Sequence, residues 1–110
     1  MIINDLLNYI KDNGLKLEIG TEEYIFRSTN ISCFIATEDK LEIFTPFGEV
    51  RADISDFKKL TFDSFCIDVE TEEQFKFALP YLKKTSQYNV YLEDSKGKVI
   101  LYLYRIHKEN

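Results

Sequence analysis

Leu15-Lys16-Leu17-Glu18-Ile19 alternates apolar and polar residues without interruption. Successive side chains of a strand point to opposite faces, so this segment reads as a half-buried strand with one apolar side. Gly20-Thr21 supplies a turn, and Tyr24-Ile25-Phe26-Arg27 reads as the returning strand. Ile31, Cys33 and Ile35 alternate in the same way, and the polar Thr37-Glu38-Asp39-Lys40 follows as a turn. Leu41-Glu42-Ile43-Phe44, the turn Thr45-Pro46-Phe47-Gly48, and the alternation of Val50, Ala52 and Ile54 complete the pattern. Residues 15–54 therefore predict a meander of five short strands, each paired with the next.

On the N-terminal side, Ile3, Leu6, Leu7 and Ile10 fall at helical spacing. They predict a short amphipathic helix over residues 4–12, capped by Asn4 or Asp5 and ended by a left-handed Gly14. On the C-terminal side, Ser55 to Leu60 reads as one helical turn, and Phe65, Ile67 and Val69 as a sixth strand. Thr71-x-x-Gln74 is a capping box, and Phe75, Ala78, Leu79 and Leu82 give the second helix an apolar stripe. Pro80 interrupts that stripe, so a kink or a break is expected there. The chain closes with a hairpin around Asp94-Ser95-Lys96-Gly97 that sets Leu92 opposite Val99, Val90 opposite Leu101 and Tyr88 opposite Leu103. Its second side carries Asn89, Tyr91, Ile100, Tyr102 and Tyr104. The expected fold class is α+β, mainly antiparallel sheet. A five-strand meander precedes β-α-β-β, with two helices in a single domain over residues 1–110.

Composition is consistent with that fold. Of the 110 residues, 45% are apolar and 15% aromatic, enough to build a core without metal or disulfide staples. Only four Gly and two Pro argue against low complexity. No stretch reaches the roughly 18–20 apolar residues that a membrane span needs. Met1-Ile2-Ile3-Asn4-Asp5 places an acid where a secretory leader carries basic charge, so a cytoplasmic location is expected. Cys33 and Cys66 match neither a redox nor a zinc motif and read as two buried thiols in a reducing compartment.

The net charge of −5 is unevenly spread. Residues 1–75 hold 16 acids and 7 bases, whereas residues 76–110 hold 3 and 7. An acidic body with a mildly basic end can steer charged partners. Direct nucleic-acid binding is disfavoured, because phosphate contact needs clustered Lys and Arg.

Catalytic signatures are sparse. The lone histidine, His107, lies among Arg105, Lys108 and Glu109 and reads as part of a solvated tail. No glycine-flanked nucleophile and no Gly-rich phosphate loop occurs. Asp53, Asp56, Asp63 and Asp68 have oxygen ligands to offer but no EF-hand spacing, so no metal and no cofactor is expected. Two groups suit a contact surface instead. Asp68, Glu70, Glu72 and Glu73 crowd together, and Glu38 and Asp39, with Glu22, Glu23 and Glu42, extend the acidic character. Glu72 and Glu73 also complement the start of the second helix, and a plain solvated surface is the simpler reading of the acids as a whole. Tyr91, Tyr102 and Tyr104 share one side of the terminal hairpin, where a rigid ring with a polar tip favours recognition. Burial of that side beneath a helix is the competing reading.

Met1-x-Ile3-Asn4-Asp5-Leu6-x-x-x-Ile10-Lys11 resembles the opening of a family of small acidic anti-CRISPR proteins. Those phage inhibitors block the Cas9 nuclease by imitating the DNA that its PAM-reading surface expects. The likeness covers residues 1–11 and brings no contact residue with it. Family members are shorter and finish in helices, whereas this chain finishes in a tyrosine-rich hairpin. The resemblance implies a small, acidic, non-enzymatic inhibitor from a phage or mobile element. The expected partner is another protein, including one that itself binds nucleic acid; monomer and homodimer both remain open. Toxin immunity, a homodimeric accessory subunit and a small-ligand binder with an unrecognised pocket are the alternatives.

Overall fold

The computed structural model describes residues 1–23 and 25–108. In chain order these form α1 (Ile2–Asp12), β1 (Leu15–Gly20), β2 (Ile25–Thr29), β3 (Cys33–Ala36), β4 (Lys40–Thr45) and β5 (Gly48–Asp53). There follow β6 (Phe57–Phe62), a 3-10 turn (Asp63–Phe65), β7 (Ile67–Val69), α2 (Glu72–Lys84), β8 (Gln87–Asp94) and β9 (Val99–Lys108). The fold is α+β and every strand pairing is antiparallel. Strands β2-β1-β9-β8-β6-β7 form a six-stranded sheet, and β3-β4-β5 a three-stranded one.

The larger sheet is set by cross-strand rows of aliphatic side chains. Ile19, Leu103, Val90, Phe62 and Ile67 are successive partners across five strands. Leu101, Leu92, Leu60 and Val69 make a second row on the same face. Against these rows lie Ile3, Leu6, Leu7 and Ile10 of α1 and Phe75, Ala78 and Leu82 of α2, all buried in one core. The smaller sheet adds Leu41, Ile43 and Val50 to that core. Both helices therefore cover the same face of the larger sheet, and its other face carries a different set of residues.

Several expectations are corrected here. Residues 15–54 do hold five strands, but not one meander. Between β2 and β3, buried Thr29 and Ile31 carry the chain from one sheet to the other. Asn30 anchors the crossing by donating from Nδ2 to the carbonyl oxygens of Gly14 and Leu15. Ile25 and Phe26 lie in the expected return strand, whereas Tyr24 lies outside the described residues. In β3 the inward side belongs to Phe34 and Ala36, opposite Ile43 and Leu41, so Cys33 and Ile35 face out. Cys33 is consequently exposed rather than buried, and Cys66, which follows the 3-10 turn before β7, is exposed as well.

Of the expected helical turn at Ser55–Leu60, only Ser55 and Asp56 form a turn, and Phe57 onward is β6. Leu60 and Phe62 face the core, and the ladder to β8 decides the backbone. Phe65 belongs to the 3-10 turn before β7. Helix α1 begins at Ile2, capped by Met1 without a side-chain bond, so Asn4 and Asp5 lie inside its first turn. Gly14 does adopt a left-handed φ of 60°. The Thr71 hydroxyl accepts from the Gln74 amide at 3.2 Å, but the Gln74 side chain accepts from Glu70 rather than closing the box on Thr71. Helix α2 runs unbroken through Pro80. Its exposed outer side leaves the missing hydrogen bond next to water, where the loss costs least.

The terminal hairpin keeps Tyr91, Tyr102 and Tyr104 on the face opposite Val90, Leu92, Leu101 and Leu103 but shifts its pairing. Val90 lies opposite Leu103, Tyr91 opposite Tyr102 and Leu92 opposite Leu101, two residues from the expected register. Irregularities flank this run, and Arg105 takes a left-handed φ of 51° at one of them. The extra residue returns Ile106 to the core opposite Tyr88. Ile100, expected beside the tyrosines, packs against the core cluster.

Candidate functional site

Every inward row of a sheet implies an outward one. Gly20, Tyr102, Tyr91, Thr61 and Asp68 are successive partners across β1, β9, β8, β6 and β7, on the face that the helices leave uncovered. Glu18 and Tyr104 form the adjacent pair, and Lys59 lies opposite Glu93. The three expected tyrosines thus meet on one open sheet face. Tyr102 and Tyr104 stack with centroids 5.1 Å apart, and Tyr91 sets its edge to both at 5.5 and 5.9 Å. Each is half-exposed, and none belongs to the core cluster. Gly20 is buried in the neighbouring row position, where a Cβ would meet the Ile25 side chain at 3.1 Å before Tyr104 at 3.7 Å and Tyr102 at 3.8 Å.

Charge surrounds the rings. Arg105 reaches Glu18 at 3.4 Å, and Lys59 lies between Asp68 at 3.2 Å and Glu93 at 3.7 Å. The hydrogen bond that Lys59 donates to Asp68 raises the Lys59 pKa above the usual lysine value, and the charges of Asp68, Glu93 and Glu70 act in the same direction. The Tyr91 hydroxyl donates to Asp63 at 3.5 Å. Partial burial raises the phenol pKa of Tyr91, helped by Asp63, and that of Tyr104, helped by the adjacent tyrosines. These two rings therefore remain neutral donors well above neutral pH. Asp63, Asp68, Glu93 and Glu18 outnumber Lys59 and Arg105, so the rim is acidic.

The remaining acids are distributed differently. Glu70, Glu72 and Glu73 are exposed at the β7–α2 junction, with Glu72 3.1 Å from the N-terminal ammonium. Asp68 alone joins this cluster to the tyrosine face. Glu38 and Asp39 lie in the β3–β4 turn of the smaller sheet, where Asp39 accepts from the Thr37 hydroxyl at 2.9 Å. The four aspartates considered as metal ligands have separate partners. Asp53 accepts from the Ser55 amide at 2.9 Å, which lowers its pKa, and Asp56 accepts from the Ser95 hydroxyl at 2.9 and 2.8 Å. Among the described residues no three His, Cys, Asp or Glu side chains group as a metal site. No described helix is long and apolar enough to cross a membrane.

Two features escaped sequence reasoning. Phe77 and Tyr81 stand on the exposed side of α2 with ring centroids 6.2 Å apart, a pair at helical spacing that the stripe of Phe75, Ala78 and Leu82 obscures. His107 is no tail residue. It lies within β9 opposite Lys16 and Gln87, half-buried, with Nδ1 2.6 Å from the Arg105 carbonyl oxygen. That oxygen only accepts, so Nδ1 carries the proton. No family model, curated protein or solved structure matches the chain.

Proposed function

We propose that the protein acts by stoichiometric, non-enzymatic binding to another protein, which docks on the open face of the six-stranded sheet. One observation carries this reading: three mutually packed tyrosines stand clear of the core on a face that neither helix covers. Rigid aromatic anchors of this kind supply much of the binding energy at protein interfaces. The acidic rim selects a partner with a basic surface and speeds its approach. The resemblance of residues 1–11 to anti-CRISPR inhibitors narrows that partner to a protein whose own basic surface reads nucleic acid. An anti-defence inhibitor carried by a phage or mobile element fits that description.

The test is capture from bacterial lysate with the native chain and with Tyr102→Ala, at low and raised salt. The native chain is expected to retain a basic partner, with capture falling as salt rises. Truncating Tyr102 is expected to weaken affinity by about 2 kcal/mol or more, as at a hot spot. A partner held equally well by Tyr102→Ala would remove the tyrosine face from the interface. A Tyr102-dependent homodimer in light scattering, with no heterologous partner, would turn the reading towards an accessory subunit.

A further inference from the structure

On the opposite side of the sheet, a cleft of about 460 Å³ opens where the C-terminal ends of α1 and α2 meet the paired ends of β8 and β9. Its polar lining includes Tyr9, Asn13, Lys83, Tyr88, His107 and Lys108. None of the described residues lining it is acidic, in a chain whose net charge is −5. Leu15, Leu82 and Ile106 supply its apolar lining, Leu82 and Ile106 being fully buried. The volume falls in the range of small-molecule sites, about 300–1,000 Å³.

Tyr88 makes this more than a basic surface dent. It is 3% exposed, and its hydroxyl has no hydrogen-bond partner among the described residues. Buried hydroxyls without a partner are uncommon, because the group gives up its hydration for nothing. Burial also keeps this phenol protonated, with Tyr9 adding to the effect, so it remains a donor in search of an acceptor. Lys83 and Lys108 bring two full positive charges. The carbonyl ends of the two helices oppose them with about half a negative charge each. The balance is close to one positive charge, which suits a monoanion.

We propose that this cleft binds a small organic carboxylate. The Tyr88 hydroxyl, sealed from solvent in the free protein, donates to the carboxylate once the ligand parts the cleft lining, Lys83 and Lys108 neutralise it, and its apolar body rests against Tyr9 and Leu15. The site is independent of the tyrosine face, because Tyr88 points to the core side and Tyr91 to the other.

The experiment is an NMR titration of the full chain with benzoate, and separately with inorganic phosphate. Benzoate is expected to saturate a single site, shifting resonances of Lys83, Tyr88 and His107. Tyr88→Phe removes one oxygen and keeps the ring, so it is expected to fold and to weaken benzoate roughly tenfold. Lys83→Gln changes an exposed residue without touching the core and is expected to weaken benzoate as well, which keeps the test valid should Tyr88→Phe misfold. Lys98→Gln, whose residue pairs with Glu22 at 3.4 Å outside the cleft lining, should leave binding intact. Benzoate binding that is absent, unsaturable or indifferent to both cleft variants would overturn the proposal. So would phosphate binding tighter than benzoate.

Discussion

Arg105 holds a conformation that costs an ordinary residue about 1–2 kcal/mol, since a left-handed φ crowds Cβ against the backbone. Its neighbours explain why it persists. The Arg105 amide donates to Asn89 Oδ1 at 2.7 Å, and the guanidinium reaches Glu18 across the sheet. Asn89 therefore acts as a clamp that fixes the bulge and, through it, the burial of Ile106. Asn89→Ala is expected to destabilise the fold by about 1 kcal/mol, measured by urea unfolding. A change of similar size is expected at Thr71, whose hydroxyl caps α2. Thr71→Ala should cost about 1 kcal/mol, whereas Thr71→Ser should be nearly neutral because serine caps as well. Equal losses from both substitutions would remove the cap as the cause.

Elements are decided by rows rather than by single residues. Leu92 is fully buried between Leu60 and Leu101 in a row spanning four strands, so truncation leaves a cavity with rigid walls. Leu92→Ala is expected to cost about 2–5 kcal/mol in urea unfolding, far more than Lys58→Ala on the exposed side of β6. Pro80 gives the opposite sign. Pro80→Ala restores an amide donor to an unbroken helix and is expected to raise stability, by up to about 3 kcal/mol. The same rows explain what was legible in the sequence. Side-chain alternation assigns a face, so the pattern alone separates Leu17, Ile19, Val90 and Leu103 from Tyr91, Tyr102 and Tyr104, but it does not say which face a helix covers. It does not assign a partner. The pairing of β1 with β9 joins residues from the two ends of the chain, and the bulge at Arg105 leaves no mark in the alternation. Phe57 and Leu60 are also three apart, a spacing shared by a helical turn, and only the ladder to β8 makes that segment a strand. In β3 the larger ring of Phe34 wins the inward side from Cys33 and Ile35. The tyrosine face was accessible because one hairpin supplies it. The cleft was not, because Tyr9, Lys83, Tyr88 and His107 come from four separate elements.

Viewed as a whole molecule, the uneven charge along the chain becomes two surfaces on opposite sides of one sheet. The acidic first part contributes Glu18, Asp63 and Asp68 to the rim of the tyrosine face. The basic last part contributes Lys83 and Lys108 to the cleft. Tyrosines link both surfaces to the stability of the fold. Burial raises the phenol pKa of Tyr9 and Tyr88 by the cleft, and of Tyr91 and Tyr104 on the open face, above the ordinary 10.0. A raised phenol pKa means that the folded state keeps protons which the unfolded chain releases. This contribution is fully present below the unfolded value of about 10 and is lost as pH climbs through the folded values. Urea midpoints are therefore expected to hold steady up to about pH 9 and to fall steeply by about pH 11. Tyr88→Phe removes the most deeply buried of these phenols and should make the decline shallower. A midpoint indifferent to pH over that interval would show that these rings titrate as freely in the fold as in the unfolded chain, leaving the tyrosine face too wet to serve as an anchor.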